Sequence, residues 1–483
     1  MFPKKQVFFV LGLSKSGKAA AEFLLARSAT VYVYDDNPSE RVEKVAVGLV
    51  EKGAKRIKAE ELVRMPDVCD VLVLSPGIPI DHPTAIAFKR NGRAVIGETE
   101  LAARNMRAPI FAVTGTNGKT TTVSMLTKVL KKGGYTAEAC GNIGMPMTKF
   151  CSMREEGIAV AEISSFQMET LQSLCPHIAV VLNVTEDHLN RHYTMENYIF
   201  LKAKLLKNMT ESEFAILNYD DPIVRGFAEK TKAKILYFSS KERVRGAYAE
   251  NGYLYCGKEK IMAVDELSVG GVHNVQNALA VIIAAKLAGV KTEDIVSALR
   301  EFKGVHHRIE RVAEIDGVEY VDDSKGTNVD ATLKGVASMK RDTVLLLGGK
   351  NKGYDYNKLF AELKGAKVVH AVLYGENRFA LLKAAREQSF DALTLCGGGF
   401  AFAVRVAALK AERGQTVLLS PASASFDEFS SYEERGERFA EIVRGLAKQE
   451  QKEESPVCET KDGSATEQGD GIEPDAAGGR KDE

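Results

Sequence analysis

Residues 114–121, Thr-Gly-Thr-Asn-Gly-Lys-Thr-Thr, have the residue types and spacing of a phosphate-binding loop. The apolar run 109–113 predicts a strand before them, and residues 123–132 predict a helix after them. A strand, a glycine turn and a helix start let backbone N–H groups surround phosphate oxygens, with Lys119 at the β- and γ-phosphates and Thr120 at Mg²⁺. The usual motif has one more glycine at its start, so we interpret the loop as a variant nucleotide site rather than a solvated turn.

Polar side chains at the ends of predicted strands follow this loop. Glu162 lies on the strand predicted at 158–163, and His188 follows the strand predicted at 178–183. Residues 198–209 predict a helix on which Tyr198 and Lys202 lie one turn apart. A solvated acid, a surface histidine and a surface lysine would explain each residue alone. Beside a phosphate loop, the set indicates metal or group-transfer chemistry.

The N-terminal stretch predicts a strand at 7–12, a helix at 16–26 and a strand at 31–34, which is a βαβ opening. The turn at 12–17 resembles a dinucleotide fingerprint, and Asp35 stands near the position of a ribose-binding acid. Ser14 replaces the glycine that approaches a pyrophosphate, so another nucleotide ligand fits as well as NAD. A further strand, 71–74, leads into a rigid turn, 75–79, at the edge where open α/β sheets bind ligands.

The pattern of strands and helices restarts twice, which predicts three α/β domains at 1–107, 108–303 and 304–449. In the central domain, a helix predicted at 273–288 carries Asn274 and Asn277 on one face, where amides either contact a base or cap the helix. In the last domain, strands are predicted at 319–321, 344–347, 368–373 and 417–419. Polar loops at 323–328, 348–353 and 420–427 follow three of these strands and predict a site.

The composition is that of a globular protein, with 45% hydrophobic and 27% charged residues among 483. The net charge is zero, but residues 450–483 hold eleven acidic and four basic residues and almost nothing to bury, so we predict a disordered acidic tail. No basic cluster predicts nucleic-acid binding, and no apolar run is long enough to span a bilayer. Seven cysteines without C-x-x-C spacing favour a reducing cytoplasm and no zinc site.

Five segments together resemble the Mur ligases of peptidoglycan synthesis, and the resemblance covers residues 1 to about 449. They are 114–120, 75–78, 141–144, 323–328 and 420–425, and the last four are similar to the D-glutamate-adding branch. The resemblance implies an N-terminal Rossmann-like domain for a UDP group, a central P-loop ATPase-like domain, and a C-terminal Rossmann-like domain for the amino acid. It implies a cytoplasmic, monomeric enzyme that uses ATP to join D-glutamate to UDP-N-acetylmuramoyl-L-alanine through an acyl phosphate, releasing ADP and phosphate.

The resemblance also implies roles for individual residues. The ATP-binding set is Gly115, Thr116, Asn117, Gly118, Lys119, Thr120, Thr121, Asn274, Asn277, Arg308, Asp323 and Lys325. The UDP-substrate set is Lys15, Ser16, Asp35, Asp36, Gly77, Asn142 and His188. The D-glutamate set is Thr327, Lys352, Ser425 and Tyr432. The catalytic set is Lys119, Glu162, His188 and Lys202, and two Mg²⁺ ions are assigned to Thr120, Glu162, His188 and Lys202.

The resemblance implies a modified lysine, for which Lys202 and Lys204 are the candidates. We predict Lys202, because the family's lysine follows a tyrosine by four residues, as Lys202 follows Tyr198. The resemblance implies that its ε-amino group is carbamylated, since an ammonium cannot coordinate a metal whereas a carbamate oxygen can. This sequence departs from the family at Tyr432, where phenylalanine is common, and at Lys350 and Asn351, where an acidic residue often appears. Asp36 stands where a hydroxyl residue is frequent.

Three other functions stay open at this stage. A nicotinamide oxidoreductase would use the turn at 12–17 but would leave the phosphate loop without a role. A regulatory NTPase would use the phosphate loop and bind partners with its outer domains. A ligase that adds a different amino acid would use the same three domains.

Overall fold

The structure is a computed structural model that describes residues 6–37, 39–153, 156–351 and 353–453. Over these ranges the chain forms three α/β units, each built on a sheet of its own. All strands of the first sheet lie before residue 97, those of the second between 110 and 263, and those of the third between 310 and 419. The predicted fold class is confirmed, while the domain limits at 107 and 303 stay predictions.

The N-terminal domain has a parallel sheet with the strand order 3-2-1-4-5. Its strands are β1 (Val7–Leu11), β2 (Thr30–Tyr34), β3 (Lys55–Arg56), β4 (Val71–Leu74) and β5 (Ala94–Ile96). Its helices are α1 (Lys15–Leu25), α2 (Glu40–Glu51), α3 (Met65–Val68), α4 (Pro83–Arg90) and α5 (Glu98–Ala103), with a 3₁₀ segment at Ala59–Arg64. Strands β1 and β4 are continuous apolar runs because helices cover both faces of the sheet. This order is Rossmann-like.

The central domain has nine strands, β6 (Ile110–Thr114), β7 (Ala137–Gly141), β8 (Ile158–Glu162), β9 (Ile178–Val181), β10 (Phe214–Asn218), β11 (Lys234–Ser239), β12 (Gly246–Glu250), β13 (Tyr253–Cys256) and β14 (Glu259–Ala263). Their order across the sheet is 14-13-12-11-10-9-6-8-7, parallel except where β13 and β14 extend it as antiparallel strands. Strand β6, which leads into the phosphate loop, therefore lies between β8 and β9 in the interior of the sheet.

The helices of the central domain are α6 (Lys119–Lys132), α7 (Met147–Met153), α8 (Ser165–Glu169), α9 (Leu189–His192), α10 (Met195–Ala203), α11 (Pro222–Arg225), α12 (Val272–Leu287) and α13 (Thr292–Arg300). Short 3₁₀ segments lie at Lys204–Leu206, Gly226–Lys230 and Val264–Glu266. Helices α6 and α12 share one apolar cluster with the sheet. Helix α12 is buried along almost its whole length, which explains why its sequence is apolar on nearly every side.

The C-terminal domain has the strands β15 (Glu310–Ile315), β16 (Val318–Asp322), β17 (Thr343–Gly348), β18 (Val368–Tyr374), β19 (Leu393–Leu395) and β20 (Thr416–Leu419). Their order is 15-16-20-17-18-19, and only β15 is antiparallel to its neighbour. The helices are α14 (Val329–Ala337), α15 (Asn357–Leu363), α16 (Arg378–Glu387), α17 (Phe400–Lys410) and α18 (Tyr432–Glu453). The parallel strands β16, β17 and β20 end at one edge, where the three predicted polar loops begin.

Two predicted helix boundaries are wrong by about four residues or more. Helix α6 begins at Lys119 rather than at residue 123, because the low helix propensity of the threonines after Lys119 hides its first turn. The helix predicted at 198–209 ends at Ala203, and a 3₁₀ turn follows in which Leu205 and Leu206 are fully buried. Helix α18 ends at Glu453, past the predicted start of the tail at 450. Residues 454–483 lie outside the described residues, so the limit of the tail stays a prediction.

The described cysteines are free thiols, namely Cys69, Cys140, Cys151, Cys175, Cys256 and Cys396. Within the described ranges, every helix is too short or too polar to cross a lipid bilayer.

Candidate active site

The phosphate loop joins the carboxyl end of β6 to the first turn of α6. Gly118 has φ +88°, and a Cβ atom there would lie 2.6 Å from the Asn277 side-chain oxygen, so glycine is required on both counts. The Lys119 ammonium donates hydrogen bonds to the carbonyl oxygens of Gly115 (2.9 Å) and Thr116 (2.8 Å). The loop thus holds its own lysine at the helix N-terminus, where unsatisfied N–H groups attract anions.

Glu162 lies at the carboxyl end of β8, directly beside the loop, and only 2% of its surface is exposed. Its Oε2 atom accepts a hydrogen bond from the Thr120 hydroxyl (2.9 Å), and its Oε1 atom accepts one from the Asn142 amide (2.8 Å). Both donors are neutral, so neither of these two contacts is an ion pair. Hydroxyl and carboxylate oxygens this close together form a donor set that Mg²⁺ prefers.

Lys202 lies on α10 and is 1% exposed, and its side chain extends to the phosphate loop. Its Nζ donates a hydrogen bond to the same Gly115 carbonyl oxygen at 2.8 Å and lies 4.6 Å from the centre of the Tyr198 ring. Burial, followed by the nearby charge of Lys119, holds the pKa of Lys202 well below its usual value. Burial also lowers the pKa of Lys119.

Lys204, the alternative candidate on the next turn, points elsewhere. Its Nζ donates to the carbonyl oxygens of Met168 (2.6 Å) and Glu169 (3.4 Å), the last two residues of α8. The geometry therefore separates the two lysines in the way that the sequence pattern predicts.

His188 follows β9 with a left-handed backbone, φ +56°, which is unusual for a residue with a side chain. Its ring packs edge-on against Phe166 at 4.7 Å, and its Nε2 lies 3.5 Å from Asp187 Oδ2. Asp187 is 5% exposed and receives the Asn328 amide on Oδ2 at 3.0 Å. The sequence analysis selected His188 and passed over Asp187; the signal available was only its place at the end of the same strand.

A cleft that opens to solvent lies between the central and C-terminal domains next to the loop. Its walls carry Asn117, Gly118, Thr121 and Asn277 of the predicted ATP set on one side and Arg308 on the other. The side-chain amide of Asn277 donates to the side-chain oxygen of Asn274 at 3.3 Å. Other lining residues were missed by sequence reasoning, because nothing local marks them: Leu182, Asn183, Phe238, His273, Gln276, Ile309, Ala331, Lys334 and Gly335.

Asp323 and Lys325 lie on the loop after β16. Asp323 is fully buried, accepts a hydrogen bond from the Ser420 hydroxyl at 2.7 Å and lies 3.6 Å from the Arg308 guanidinium. Burial raises the pKa of Asp323 to about 6.

The Lys325 ammonium donates a hydrogen bond to the Tyr432 hydroxyl. Burial lowers the pKa of Lys325 to about 8, and the charge of Glu162 is the strongest influence that opposes this shift. Lys325 therefore lies within electrostatic range of Glu162.

The D-glutamate set is only partly brought together. Thr327, whose N–H donates to the Lys325 carbonyl (2.9 Å), and Tyr432 border Lys325, and Ser425 is buried in the loop after β20. Lys352 lies outside the described residues.

Arg435 was missed by the sequence analysis, yet it holds these loops together. It is fully buried and donates to the carbonyl oxygens of Ser324 (2.9 Å), Ser423 (3.1 Å) and Ala424 (3.2 Å). The residues it joins lie on loops that are far apart in the chain, so no local pattern marks this arginine.

The predicted UDP-substrate residues fall into two groups. Lys15, Ser16, Asp35, Asp36 and Gly77 lie in loops and at a helix start that follow β1, β2 and β4, whereas Asn142 and His188 lie with Glu162 and Asp187 in the central domain. In the first group, Asp35 accepts the Leu13 N–H at 2.5 Å, and Asp36 lies 3.3 Å from the His82 ring. Lys15 donates to the Gly144 carbonyl oxygen across the domain boundary.

Arg191, another residue that the sequence analysis missed, joins the two groups. It donates to the carbonyl oxygens of Ile78 (2.8 Å) and Pro76 (3.4 Å), on either side of Gly77, and to the Glu169 carboxylate (2.6 Å).

Three family models match the chain. They are described as the Mur ligase MurD-like N-terminal domain (residues 6–97), the Mur ligase middle domain (113–285) and the Mur ligase glutamate ligase domain (307–423). Each match lies within one of the three predicted domains.

Relatives of known name span nearly the whole chain. The chain is 40% identical to the UDP-N-acetylmuramoylalanine--D-glutamate ligase of Pelotomaculum thermopropionicum over 460 residues, 92% of this chain and 99% of that protein. It is 40% identical over 452 residues to the ligase of the same name from Caldanaerobacter subterraneus subsp. tengcongensis, again 92% and 99%. The pseudomurein peptide ligase type C of Methanothermus fervidus has the same overall fold, with a TM-score of 0.59 and 17% identity over 92% of this chain and 100% of that one.

Proposed function

Because this chain belongs to the Mur ligase family, we propose that it joins D-glutamate to UDP-N-acetylmuramoyl-L-alanine with consumption of ATP, as a step of peptidoglycan precursor synthesis. The observation that carries the proposal is the convergence of Lys119, Lys202 and Glu162 on one phosphate loop, at the mouth of a cleft whose other wall belongs to the C-terminal domain. The names of the relatives that span 92% of the chain support the choice of substrates.

The chemistry has two displacement steps. In the first, a carboxylate oxygen of the alanyl group attacks the γ-phosphorus of ATP, the bond to the β-phosphate oxygen breaks, and ADP leaves. In the second, the neutral amino group of D-glutamate attacks the carbon of the acyl phosphate, phosphate leaves with the shared oxygen, and the amine gives up a proton. Positioning and charge stabilisation account for most of the acceleration in such transfers.

The cationic groups around the cleft suit the first step. The loop N–H groups and Lys119 lie where the β- and γ-phosphates of a bound nucleotide would be held. Arg308 and Lys325 come from the C-terminal domain and approach from the opposite wall. The amides of Asn274 and Asn277, with Asp323 behind Arg308, suit the nucleoside part of ATP. A guanidinium and an ammonium that neutralise the transferring group stabilise its charge most strongly in a water-poor site.

The donor atoms at the loop fit Mg²⁺. Thr120 and Glu162 offer a hydroxyl and a carboxylate 2.9 Å apart, and His188 offers a ring nitrogen on the loop after β9. In this proposal Thr120, Glu162, His188 and carbamylated Lys202 would hold two Mg²⁺ ions. Bound Mg²⁺ would supply positive charge that offsets the charge of the phosphoryl oxygens. The family is ATP-dependent and uses a divalent cation, while the number of ions and the carbamate are parts of the proposal.

The state of Lys202 supports carbamylation. Reaction with CO₂ forms an N–C bond from the amine lone pair and releases a proton, so it requires a neutral amine. Burial beside Lys119 favours that neutral form, as the depressed pKa of Lys202 indicates. With ¹³C-labelled bicarbonate, we expect a carbamate resonance in the NMR spectrum of the protein that is lost in Lys202→Ala and retained in Lys204→Ala.

The remaining assignments follow the division of the molecule. Lys15, Ser16, Asp35, Asp36 and Gly77 would contact the UDP group, with Asn142 and His188 nearer the muramoyl part. Thr327, Ser425, Tyr432 and Lys352 would contact D-glutamate, where hydroxyls and a lysine suit two carboxylates. The monomeric state is the one that the family resemblance implies. ATP use and the free thiols support a cytoplasmic location.

The test is phosphate release by the purified protein with ATP, Mg²⁺ and UDP-N-acetylmuramoyl-L-alanine against a panel of amino acids. We expect release only when D-glutamate is present. Equal rates with L-glutamate or L-lysine would assign the chain to a different ligase, and release without any amino acid would favour a regulatory NTPase. Reduction or oxidation of a nicotinamide cofactor would favour the oxidoreductase.

A further inference from the structure

A hydrogen bond joins the C-terminal domain to the loop that carries His188. The Tyr354 hydroxyl donates to Asp187 Oδ1, although the two residues are 167 positions apart in the chain. Tyr354 lies between β17 and α15, and Asp187 follows β9. Because the residues belong to different domains, this bond exists only while the C-terminal domain is docked as in this structure.

Asp187 is surrounded by groups of the proposed phosphoryl-transfer centre. Its Oδ1 atom also accepts the His188 backbone N–H at 2.9 Å, and its Oδ2 atom accepts the Asn328 amide at 3.0 Å and lies 3.5 Å from His188 Nε2. Its negative charge raises the pKa of both Lys119 and Lys202, against the larger lowering that burial causes. The carboxylate is therefore close enough to act on both side chains electrostatically. Two of its bonds, from Tyr354 and Asn328, come from the C-terminal domain.

Tyr354 is fixed firmly to its own domain. Its ring packs perpendicular to that of Tyr356, with centres 6.2 Å apart. Tyr356 is 2% exposed, and its hydroxyl is bonded to the Asn377 amide (2.8 Å) and lies 3.2 Å from the Ser423 hydroxyl. The position of the Tyr354 hydroxyl therefore follows the position of the domain core rather than that of a mobile surface group.

A buried carboxylate that loses a strong donor must find another partner. Lys119 is a cation close enough to attract Asp187, and it stays positive when Lys202 carries a carbamate. A carboxylate drawn toward Lys119 would compete with the phosphate groups for the same charge and would move the ring of His188. The Tyr354 hydroxyl opposes this by holding Asp187 toward the C-terminal domain.

We propose that Tyr354 is a positioning residue that makes phosphoryl transfer depend on docking of the domain that binds the amino acid. Through the Asp187 carboxylate, its hydroxyl sets the place of His188 and keeps Lys119 available to phosphate. This inference rests on the proposed function, since it concerns the step that forms the acyl phosphate. It names a residue outside every set that the family resemblance supplies.

The test compares Tyr354→Phe with Tyr356→Phe, since each removes one hydroxyl from neighbouring tyrosines of the same segment. Loss of a hydrogen bond to a charged group corresponds to about a tenfold or larger fall in rate. We expect Tyr354→Phe to lower kcat by that factor, with KM for ATP and the melting temperature near wild type. Tyr356→Phe should lower the melting temperature and leave kcat within about twofold, because its bonds lie within one domain.

The step is identified by trapping the acyl phosphate with hydroxylamine in the absence of D-glutamate. Slower trapping in Tyr354→Phe, but not in Tyr356→Phe, supports the inference. Normal kcat and normal trapping in Tyr354→Phe, or equal losses in both variants, would overturn it. If wild-type protein shows no ligase activity, the proposed function itself fails. The tyrosine then remains testable by small-angle scattering with ADP, where wild-type and Tyr354→Phe curves that coincide would refute a role in docking.

Discussion

The central domain meets the N-terminal domain through buried, hydrogen-bonded side chains, whereas it meets the C-terminal domain through polar contacts beside an open cleft. On the first side, Glu98 is 2% exposed and accepts both the N–H (2.6 Å) and the hydroxyl (2.7 Å) of Thr148. Glu100, fully buried, accepts the N–H groups of Gln172 (2.8 Å) and Ser173 (2.9 Å). Such contacts fix one domain on another.

The second interface has a different composition. Asn117 of the phosphate loop donates to Asp330 at 2.6 Å, and Asn328 and Tyr354 donate to Asp187. The cleft that holds the proposed ATP site lies between these contacts. We infer that the N-terminal interface is a scaffold and that the C-terminal interface is the part of the molecule that works during the reaction. Substitutions at the scaffold should change stability, and substitutions at the working interface should change turnover.

The largest effect is expected at Lys202. Lys202→Ala removes the proposed metal ligand without exposing apolar surface, so kcat should fall on the order of a hundredfold or more while the melting temperature changes little. Acetate should restore part of the activity by supplying oxygen ligands. Steady-state kinetics with and without acetate measure both effects.

Lys204→Ala is the matched control, because Lys204 bonds to carbonyl oxygens of the α8 region instead of the loop. It should keep near-normal turnover. If Lys204→Ala lost activity and Lys202→Ala kept it, the assignment of the modified lysine would be wrong.

A substitution at the N-terminal interface, Arg191→Ala, should lower stability and leave turnover nearly unchanged. It removes the bonds to the turn around Gly77 and leaves the Glu169 carboxylate, 7% exposed, without its main partner. We expect a loss of about 2–4 kcal/mol in the free energy of unfolding. At saturating substrate, kcat should stay within a few-fold of wild type. Denaturant unfolding with parallel kinetics checks this, and a large fall in kcat at normal stability would contradict the division between the two interfaces.

A smaller effect concerns the pH dependence of stability. Burial raises the pKa of Glu98 above the ordinary value of 4.5, despite the two bonds from Thr148. The folded state therefore holds the Glu98 proton more tightly than the unfolded chain does. This contribution favours folding below pH 4.5 and is lost as the pH rises through the folded-state pKa.

Glu98→Gln removes the titration and can keep both bonds to Thr148, because both use the same oxygen atom. From pH 4.5 upward, the melting temperature of the wild type should fall relative to that of Glu98→Gln. Parallel curves would show that Glu98 does not titrate differently in the two states.

The smallest effect is expected from deletion of residues 454–483. This segment follows α18 and has few apolar residues in its sequence, so its removal should leave kcat and the melting temperature nearly unchanged. A clear drop in either quantity would show that the tail contributes to one of the two interfaces.

Local patterns predicted the fold well where the surroundings of an element restrict its residue types. The strand at 71–74 has the predicted bounds, because a strand buried on both faces must be apolar throughout. The phosphate loop was identified because its glycine, lysine and threonine all serve one local turn. The helix after Tyr198 was predicted too long, because packing of Leu205 and Leu206 tightens its last turn, and packing is not visible in periodicity.

The site residues that sequence reasoning missed act over long distances. Asp187, Arg435 and Tyr354 each connect segments from different parts of the chain, and an aspartate, an arginine or a tyrosine has no local pattern that marks such a role. The family resemblance supplied most of the remaining set, but it did not include these three. Tertiary geometry was needed to find them.

The central claim is that the cleft between the central and C-terminal domains activates a substrate carboxylate as an acyl phosphate. An oxygen-transfer measurement tests it most directly, using UDP-N-acetylmuramoyl-L-alanine with both carboxylate oxygens labelled with ¹⁸O. With ATP and D-glutamate, the account predicts one ¹⁸O atom in each released phosphate and the other in the new amide. Phosphate that carries no ¹⁸O would mean that water attacks ATP, and it would contradict the account.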